Sequence, residues 1–228
     1  SFNLNIRLLK NQEKQASRAF EFASESAMAK GAWYKFKVEK SGTHRITGAD
    51  LQNAGIALSS LNPTKISVFG FGGMLPEKNS EFRYADIPEL SIEVVDGNDG
   101  KFDISDYLLF YAQGPDLWNY NASKKVFEHK LNIYDRYAYY FVRIGDTDGK
   151  RIQQFVQPEK NADIELNTFT DFAFIEDESY NLISSGRRWV GDKFEFTNAN
   201  TYTFDFENLV PNSEAYLKAV LVARSTLT

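Results

Sequence analysis

The residues best suited to chemistry sit in one short acidic run, Asp96-Gly97-Asn98-Asp99-Gly100-Lys101-Phe102-Asp103-Ile104-Ser105-Asp106. Calcium is a hard cation that takes several oxygen ligands from a turning loop, and an Asp-Gly pair supplies the sharp bend. Asp96, Asn98, Asp99, Asp103 and Asp106 are therefore candidate calcium ligands. Setting Asp99-Gly100 at the fifth and sixth positions of a calcium loop puts Asp103 at the ninth and Asp106 at the twelfth. Val95 and Gly97 then fall where the first two oxygen ligands belong, so the run is one residue short of the standard spacing. A second reading uses the same side chains without a metal. Asp96 and Asn98 form turns, and Asp103 and Asp106 cap the bend that leads into the next strand.

Other catalytic chemistry has little to work with. The chain has no cysteine, which excludes a disulfide, a thiolate metal site and a cysteine nucleophile within these residues. Its two histidines, His44 and His129, lie in strand-like segments beside aromatic or aliphatic residues, without the spacing of a zinc motif. No G-x-S-x-G nucleophile elbow occurs. Carboxylates suffice for paired-carboxylate glycoside hydrolysis, yet nothing singles out a pair. Phe69-Gly70-Phe71-Gly72-Gly73-Met74 lacks the Gly-Lys-Ser/Thr ending of a phosphate loop, and loop-like sequence follows it. Those glycines are expected to let a tight loop leave a strand. No cofactor other than calcium is suggested.

The elements that must position these residues read as strands. Aromatic residues make up 15% of the chain, and such side chains suit a pleated, half-buried surface. Period-two alternation predicts strands at residues 2–9, 33–39, 65–69, 90–95, 107–112, 125–129 and 138–144. Ser41-Gly42 is a turn signal, so residues 44–46 are expected to pair back on 33–39 as a hairpin. One short helix follows, with Thr47 as cap, Asp50 at its third position, Leu51 and Ala54 on its inner face, and Gly55 ending it. Residues 10–30 read as a short helix or an ordered loop. The pattern becomes polar around 145–157 and restarts with strands at 168–176, 193–197, 201–206 and 215–223. The expected fold is mainly β. A β-sandwich or barrel-like domain with one or two short helices spans residues 1–157, with 1–30 either included or a separate lead-in. Residues 158–228 are expected to begin a second β-sandwich-like portion that is incomplete.

Charge narrows the function classes. The net charge is −5 with signs interspersed, so the basic face of a nucleic-acid binder is missing, as is a polybasic membrane-binding patch. No apolar run approaches the ~20 residues that span a bilayer, which argues against direct membrane insertion. The chain begins at Ser1, and a processed protein whose signal peptide has been removed is the expectation.

Several stretches, taken in order over residues 31–225, resemble the N-terminal region of the PorU family. These are the gingipain-like (peptidase C25) signal peptidases, or sortases, of the type IX secretion system. The residues that carry the resemblance begin with Gly31-Ala32-Trp33-Tyr34-Lys35-Phe36-Lys37-Val38 and Ser41-Gly42-Thr43-His44-Arg45-Ile46. Next come Val68-Phe69-Gly70, Gly73-Met74-Leu75-Pro76-Glu77 and the segment from Asp96 to Leu109-Phe110-Tyr111-Ala112-Gln113-Gly114-Pro115. Asn132-Ile133-Tyr134, Tyr139-Tyr140-Phe141 and Ser185-Gly186-Arg187-Arg188-Trp189-Val190-Gly191-Asp192 complete the set. In that family such residues precede a caspase-like domain whose Cys and His do the chemistry, and no catalytic residue carries over to a chain without cysteine. The resemblance implies a whole protein at the periplasm or outer-membrane surface of a Bacteroidetes bacterium. That protein would remove C-terminal sorting domains from secretion cargo and transfer some cargo to a lipopolysaccharide anchor. This chain would supply a non-catalytic accessory β module. The implied partners are the downstream catalytic domain, cargo C-terminal domains and outer-membrane translocon components. In the 185–192 stretch, Gly186 and Gly191 are expected to shape a loop and Trp189 to plug the core. Arg187 or Arg188 could instead pair with a carboxylate of the catalytic domain. The competing reading is a stand-alone secreted carbohydrate-binding or adhesin-like module, with Trp118, Tyr120, Tyr134 and Tyr137 stacking on sugar rings.

Overall fold

Alternation of apolar side chains organises the first part of the chain. The computed structural model describes residues 21–74, 83–155, 166–182, 184, 186, 189–194, 196 and 199–223. The chain divides into two units, Ser1–Ala162 and Asp163–Thr228. In the first, β1 (Trp33–Val38), β9 (Ala138–Ile144), β3 (Ile66–Gly70) and β4 (Glu89–Leu90) form an antiparallel sheet in the order β1-β9-β3-β4. A second sheet has the order β2-β6-β5, from β2 (Gly42–Thr47), β6 (Tyr107–Ala112) and β5 (Glu93–Val95). A separate hairpin joins β7 (Leu117–Asn121) to β8 (Val126–Lys130). The inward residues of the two sheets meet in one core. Ile66, Val68, Ala138, Tyr140 and Val142 come from the first sheet, and Ile46, Leu108, Phe110 and Ala112 from the second. This is a mainly-β, sandwich-like fold, and among the described residues neither sheet closes into a barrel. Residues 2–9 lie outside the described residues.

Local chemistry explains the helix. In α1 (Gly48–Asn53) the Thr47 hydroxyl accepts the Asp50 N–H, and the Asp50 carboxylate accepts the Thr47 N–H at 2.9 Å, which makes a capping box. Leu51 is fully buried beneath it, whereas Ala54 is exposed and caps the helix end instead of lining its inner face. Gly55 follows with φ of 96°, the left-handed conformation expected at that place.

Four expectations need correction. First, β2 does not pair back on β1. It pairs with β6, so the turn at Ser41-Gly42 carries the chain from one sheet to the other. The Ser41 hydroxyl accepts the Gly114 N–H at 2.9 Å, fastening that turn to the end of β6. Second, the apolar run at 90–95 is split. Leu90 ends β4 in the first sheet and Glu93 begins β5 in the second, with fully buried Ile92 between them. Third, the strand at 117–121 was not anticipated, because Leu117-Trp118-Asn119-Tyr120-Asn121 alternates too weakly to stand out. Fourth, the polar stretch near 145–157 contributes to the fold. The Arg151 guanidinium donates to the carbonyls of Pro63, Thr64 and Ile66 at 2.7, 2.9 and 3.0 Å, clamping the entry to β3. Lys65 and Asp148 pair beside it at 2.8 Å.

In the second unit the described residues of 168–176, 193–197, 201–206 and 215–223 form no strand. Their alternation is real, but a strand also needs a neighbour to take its backbone hydrogen bonds, and among the described residues only a single antiparallel bridge forms, Tyr180 with Val190. The apolar side chains of these runs stand largely in the open, as with Phe196 at 97% and Leu221 at 82% exposure.

Two outcomes test this fold. The Tyr140 hydroxyl accepts the Gln113 N–H at 2.8 Å and donates to the Gln113 carbonyl at 2.9 Å. Tyr140→Phe leaves both backbone groups without that partner and should lower urea-unfolding stability by about 1–3 kcal/mol with little change in slope. The Asp50 carboxyl is held below its ordinary 3.8 by the Thr47 backbone N–H first, then by the Thr47 hydroxyl and the Arg45 charge. A depressed folded-state pKa means the box contributes fully above the unfolded value and is lost as pH falls through the folded one. The stability gap between the protein and Asp50→Asn should therefore be largest at neutral pH and close below about pH 4, measured by urea unfolding at each pH.

Candidate functional site

The acidic loop is shaped by backbone demands. Asp96 accepts the Asn98 N–H at 3.1 Å, and Asp99 accepts the Lys101 N–H at 2.9 Å. Asp106 accepts the Asp103 N–H at 2.6 Å, and its own carbonyl accepts the Gly48 N–H at 2.8 Å. Each of these side chains thus closes a local turn, with Phe102 buried below as the anchor of the loop. The loop packs so closely on α1 that a Cβ on Gly48 would stand 2.1 Å from the Asp103 carbonyl oxygen. Among the described residues no group of three or more His, Cys, Asp or Glu side chains is placed to hold a metal ion. Of Asp96, Asn98, Asp99, Asp103 and Asp106, the side chains of Asp96, Asp99 and Asp106 are seen to close turns.

The histidines lie apart and serve different neighbourhoods. His44 Nε2 is 2.9 Å from the Lys40 carbonyl, at the turn between the sheets. His129 stands on β8, its ring 4.8 Å from that of Trp118 and its Nε2 3.7 Å from Asp116. That separation is too long for a hydrogen bond.

The four aromatic residues considered for sugar stacking are not brought together. Trp118 is half-buried and Tyr120 is 56% exposed, and both belong to the β7–β8 hairpin, where Tyr120 packs on Phe127. Tyr134, 71% exposed, and the half-buried Tyr137 line a cleft of about 280 Å³ with Phe71, Tyr139 and Phe141. Cations already stack there: Lys35 Nζ lies 3.6 Å from the centre of the Tyr139 ring and Lys37 Nζ 4.4 Å from that of Tyr137. The Tyr139 hydroxyl donates to Asp135 at 2.8 Å, which lowers the carboxyl pKa and raises the phenol pKa.

The glycine run after β3 is a close-packing device. Gly73 donates to the Gly114 carbonyl at 2.7 Å, and a Cβ on Gly72 would lie 2.0 Å from the Gln113 carbonyl oxygen. In the second unit Gly186 adopts φ of 70° in a loop, while Trp189 is 45% exposed and plugs no core. The Tyr202 hydroxyl donates to Asp192 at 2.6 Å. Arg187 and Arg188 lie outside the described residues.

A second opening, of about 230 Å³, lies where β1 and β2 part. Phe36, Val38, Ile46 and Phe110 line it together with Lys37 and Arg45. Nothing in the sequence announced it, because it arises from two strands adjacent in the chain joining different sheets.

The turn-forming role of the acidic loop has a direct test. Millimolar calcium or a chelator should leave the melting temperature of the protein unchanged, while Asp106→Ala should lower stability by about 0.5–2 kcal/mol through loss of the cap. A calcium-dependent rise in melting temperature would restore the metal reading.

No family model matches the chain, and no curated protein matches it. Among solved structures it is similar to the crystal structure of dimeric latent PorU from Porphyromonas gingivalis, at 32% sequence identity and a TM-score of 0.47. The similarity covers 62% of this chain and 12% of that one, so the chain spans a small part of the length of the protein it matches.

Proposed function

We propose that this chain is a non-catalytic β module of a larger PorU-like cysteine peptidase that acts on type IX secretion cargo at the bacterial outer-membrane surface. The observation that carries the reading is the ordered set of motifs, from Gly31-Ala32-Trp33-Tyr34 through Ser185–Asp192, in a chain with no cysteine to act as nucleophile. Two physical features support a module that works against another domain. Asp96, Asp99 and Asp106 of the acidic run close local turns, and His44 and His129 take part in local contacts. The second unit also exposes large apolar side chains, among them Phe169, Phe196, Leu217 and Leu221, of the kind a partner surface covers. In this reading the partner is the catalytic domain of the same protein, which the module positions or shields. Cargo C-terminal domains and translocon components are the further partners.

A free-standing saccharide-binding module is less well supported. Of the four rings considered for stacking, Tyr137 already carries the ammonium group of Lys37, and Trp118 and Tyr120 lie on the β7–β8 hairpin while Tyr134 and Tyr137 line a separate cleft.

The experiment is an assay of the full-length gene product on a cargo that bears its C-terminal sorting domain. Cleavage by the full-length protein, abolished by substituting the cysteine of its downstream domain and absent with residues 1–228 alone, is the expected result. A full-length product without a Cys/His peptidase domain would overturn the assignment.

A further inference from the structure

Among the described residues β1 pairs with β9 alone and β2 with β6 alone, so both are edge strands, and they part on the same side of the sandwich at the Ser41-Gly42 turn. An edge strand presents a row of unpaired N–H and C=O groups to any extended chain that arrives beside it. Behind the β1 edge the core is incompletely covered. Tyr34 and Phe36 point inward yet remain only half-buried, and the opening between the strands reaches the buried Val38, Ile46 and Phe110. On the outward side of β1 stand Lys35 and Lys37, both exposed. Their ammonium groups rest on Tyr139 and Tyr137, which holds them on this face without neutralising them. Arg45 adds a third cation across the opening. Three exposed carboxylates stand near these cations: Asp50, whose capping-box carboxylate feels the Arg45 charge, Asp135, which accepts the Tyr139 hydroxyl and feels the Lys35 charge, and Glu39 at the strand end.

We propose that the free edge of β1 is a docking site for an extended segment of a partner protein in which apolar and acidic residues alternate. The pleat dictates this pattern. A strand added beside β1 must send alternate side chains inward, against Tyr34 and Phe36, and the others outward, beside Lys35 and Lys37. Apolar residues complete the core at the first set of positions, and carboxylates pair with the cations at the second. The same charges disfavour a second copy of this chain, because edge-to-edge pairing of two β1 strands would gather four lysines on one face. The docking site would operate whether or not the chain belongs to a peptidase.

The test uses the full 228-residue chain and two synthetic eight-residue peptides, one alternating valine and glutamate, the other valine and lysine. The glutamate peptide should bind in fluorescence anisotropy, weaken with added salt, and slow amide exchange within residues 33–38. The lysine peptide should bind about tenfold more weakly or worse. The double variant Lys35→Glu/Lys37→Glu, both positions being exposed, should keep the native circular dichroism spectrum and reverse the preference. Equal binding of the two peptides, no binding of either, or an unchanged preference in the variant would overturn the proposal. So would full amide protection of β1 in the free protein, or dimerisation that the variant abolishes, since either would mean that the edge is already occupied.

Discussion

Tyr140 ties the two sheets together, and much of the surrounding backbone is arranged around it. Its ring is buried 5.6 Å from that of Phe110 on the facing sheet, and its hydroxyl makes two hydrogen bonds to the backbone of Gln113, just beyond β6. Burial pushes the phenol pKa upward, so the hydroxyl stays neutral and keeps its proton to donate. Two further segments converge on this junction. The glycine run after β3 packs on Gln113 and Gly114, and the turn after β1 is fastened to Gly114 by Ser41. A side chain at Gly72 would force the loop off the Gln113 carbonyl, so its glycine answers to backbone proximity and not to phosphate.

That junction also accounts for the open side of the sandwich. Once Ser41 is held at the end of β6, the chain leaving β1 enters the second sheet and cannot fold back as a hairpin. A hairpin would have covered one strand edge with the other. Among the described residues the observed path leaves both edges unpaired and an opening between them that reaches the core. Lysines on the exposed face are a common guard against unwanted strand pairing, and the pair on β1 confers a preference of sign on whatever approaches.

Much of the first unit was legible in the sequence because the signals were local. Alternation located β1, β3, β6 and β9 within a residue or so, and Thr47 with Asp50 marked the helix start by a reciprocal bond between near neighbours. The errors share a cause. Pairing of β2 with β6, the division of Leu90 from Glu93, and the hold of Arg151 on the 63–66 backbone are all long-range choices. Period-two patterning says which face of a strand is buried and is silent on which neighbour it meets. The second unit makes the same point from the other side. Residues such as Phe169, Phe196 and Leu221 alternate as a strand should, but the described residues provide no ladder for them.

The acidic run shows polar side chains put to structural use. Asp96, Asp99 and Asp106 are the right groups for a hard cation, but each points an oxygen at a backbone N–H two or three residues away. A carboxylate used in this way fixes a turn. These turns seat Phe102 in the core, and the Asp106 backbone carbonyl ties the loop to Gly48. Here polar side chains maintain shape, and the features left to meet another molecule are backbone edges and a face of stacked cations. Those features suit the recognition of an extended chain, for which no reactive side chain is required.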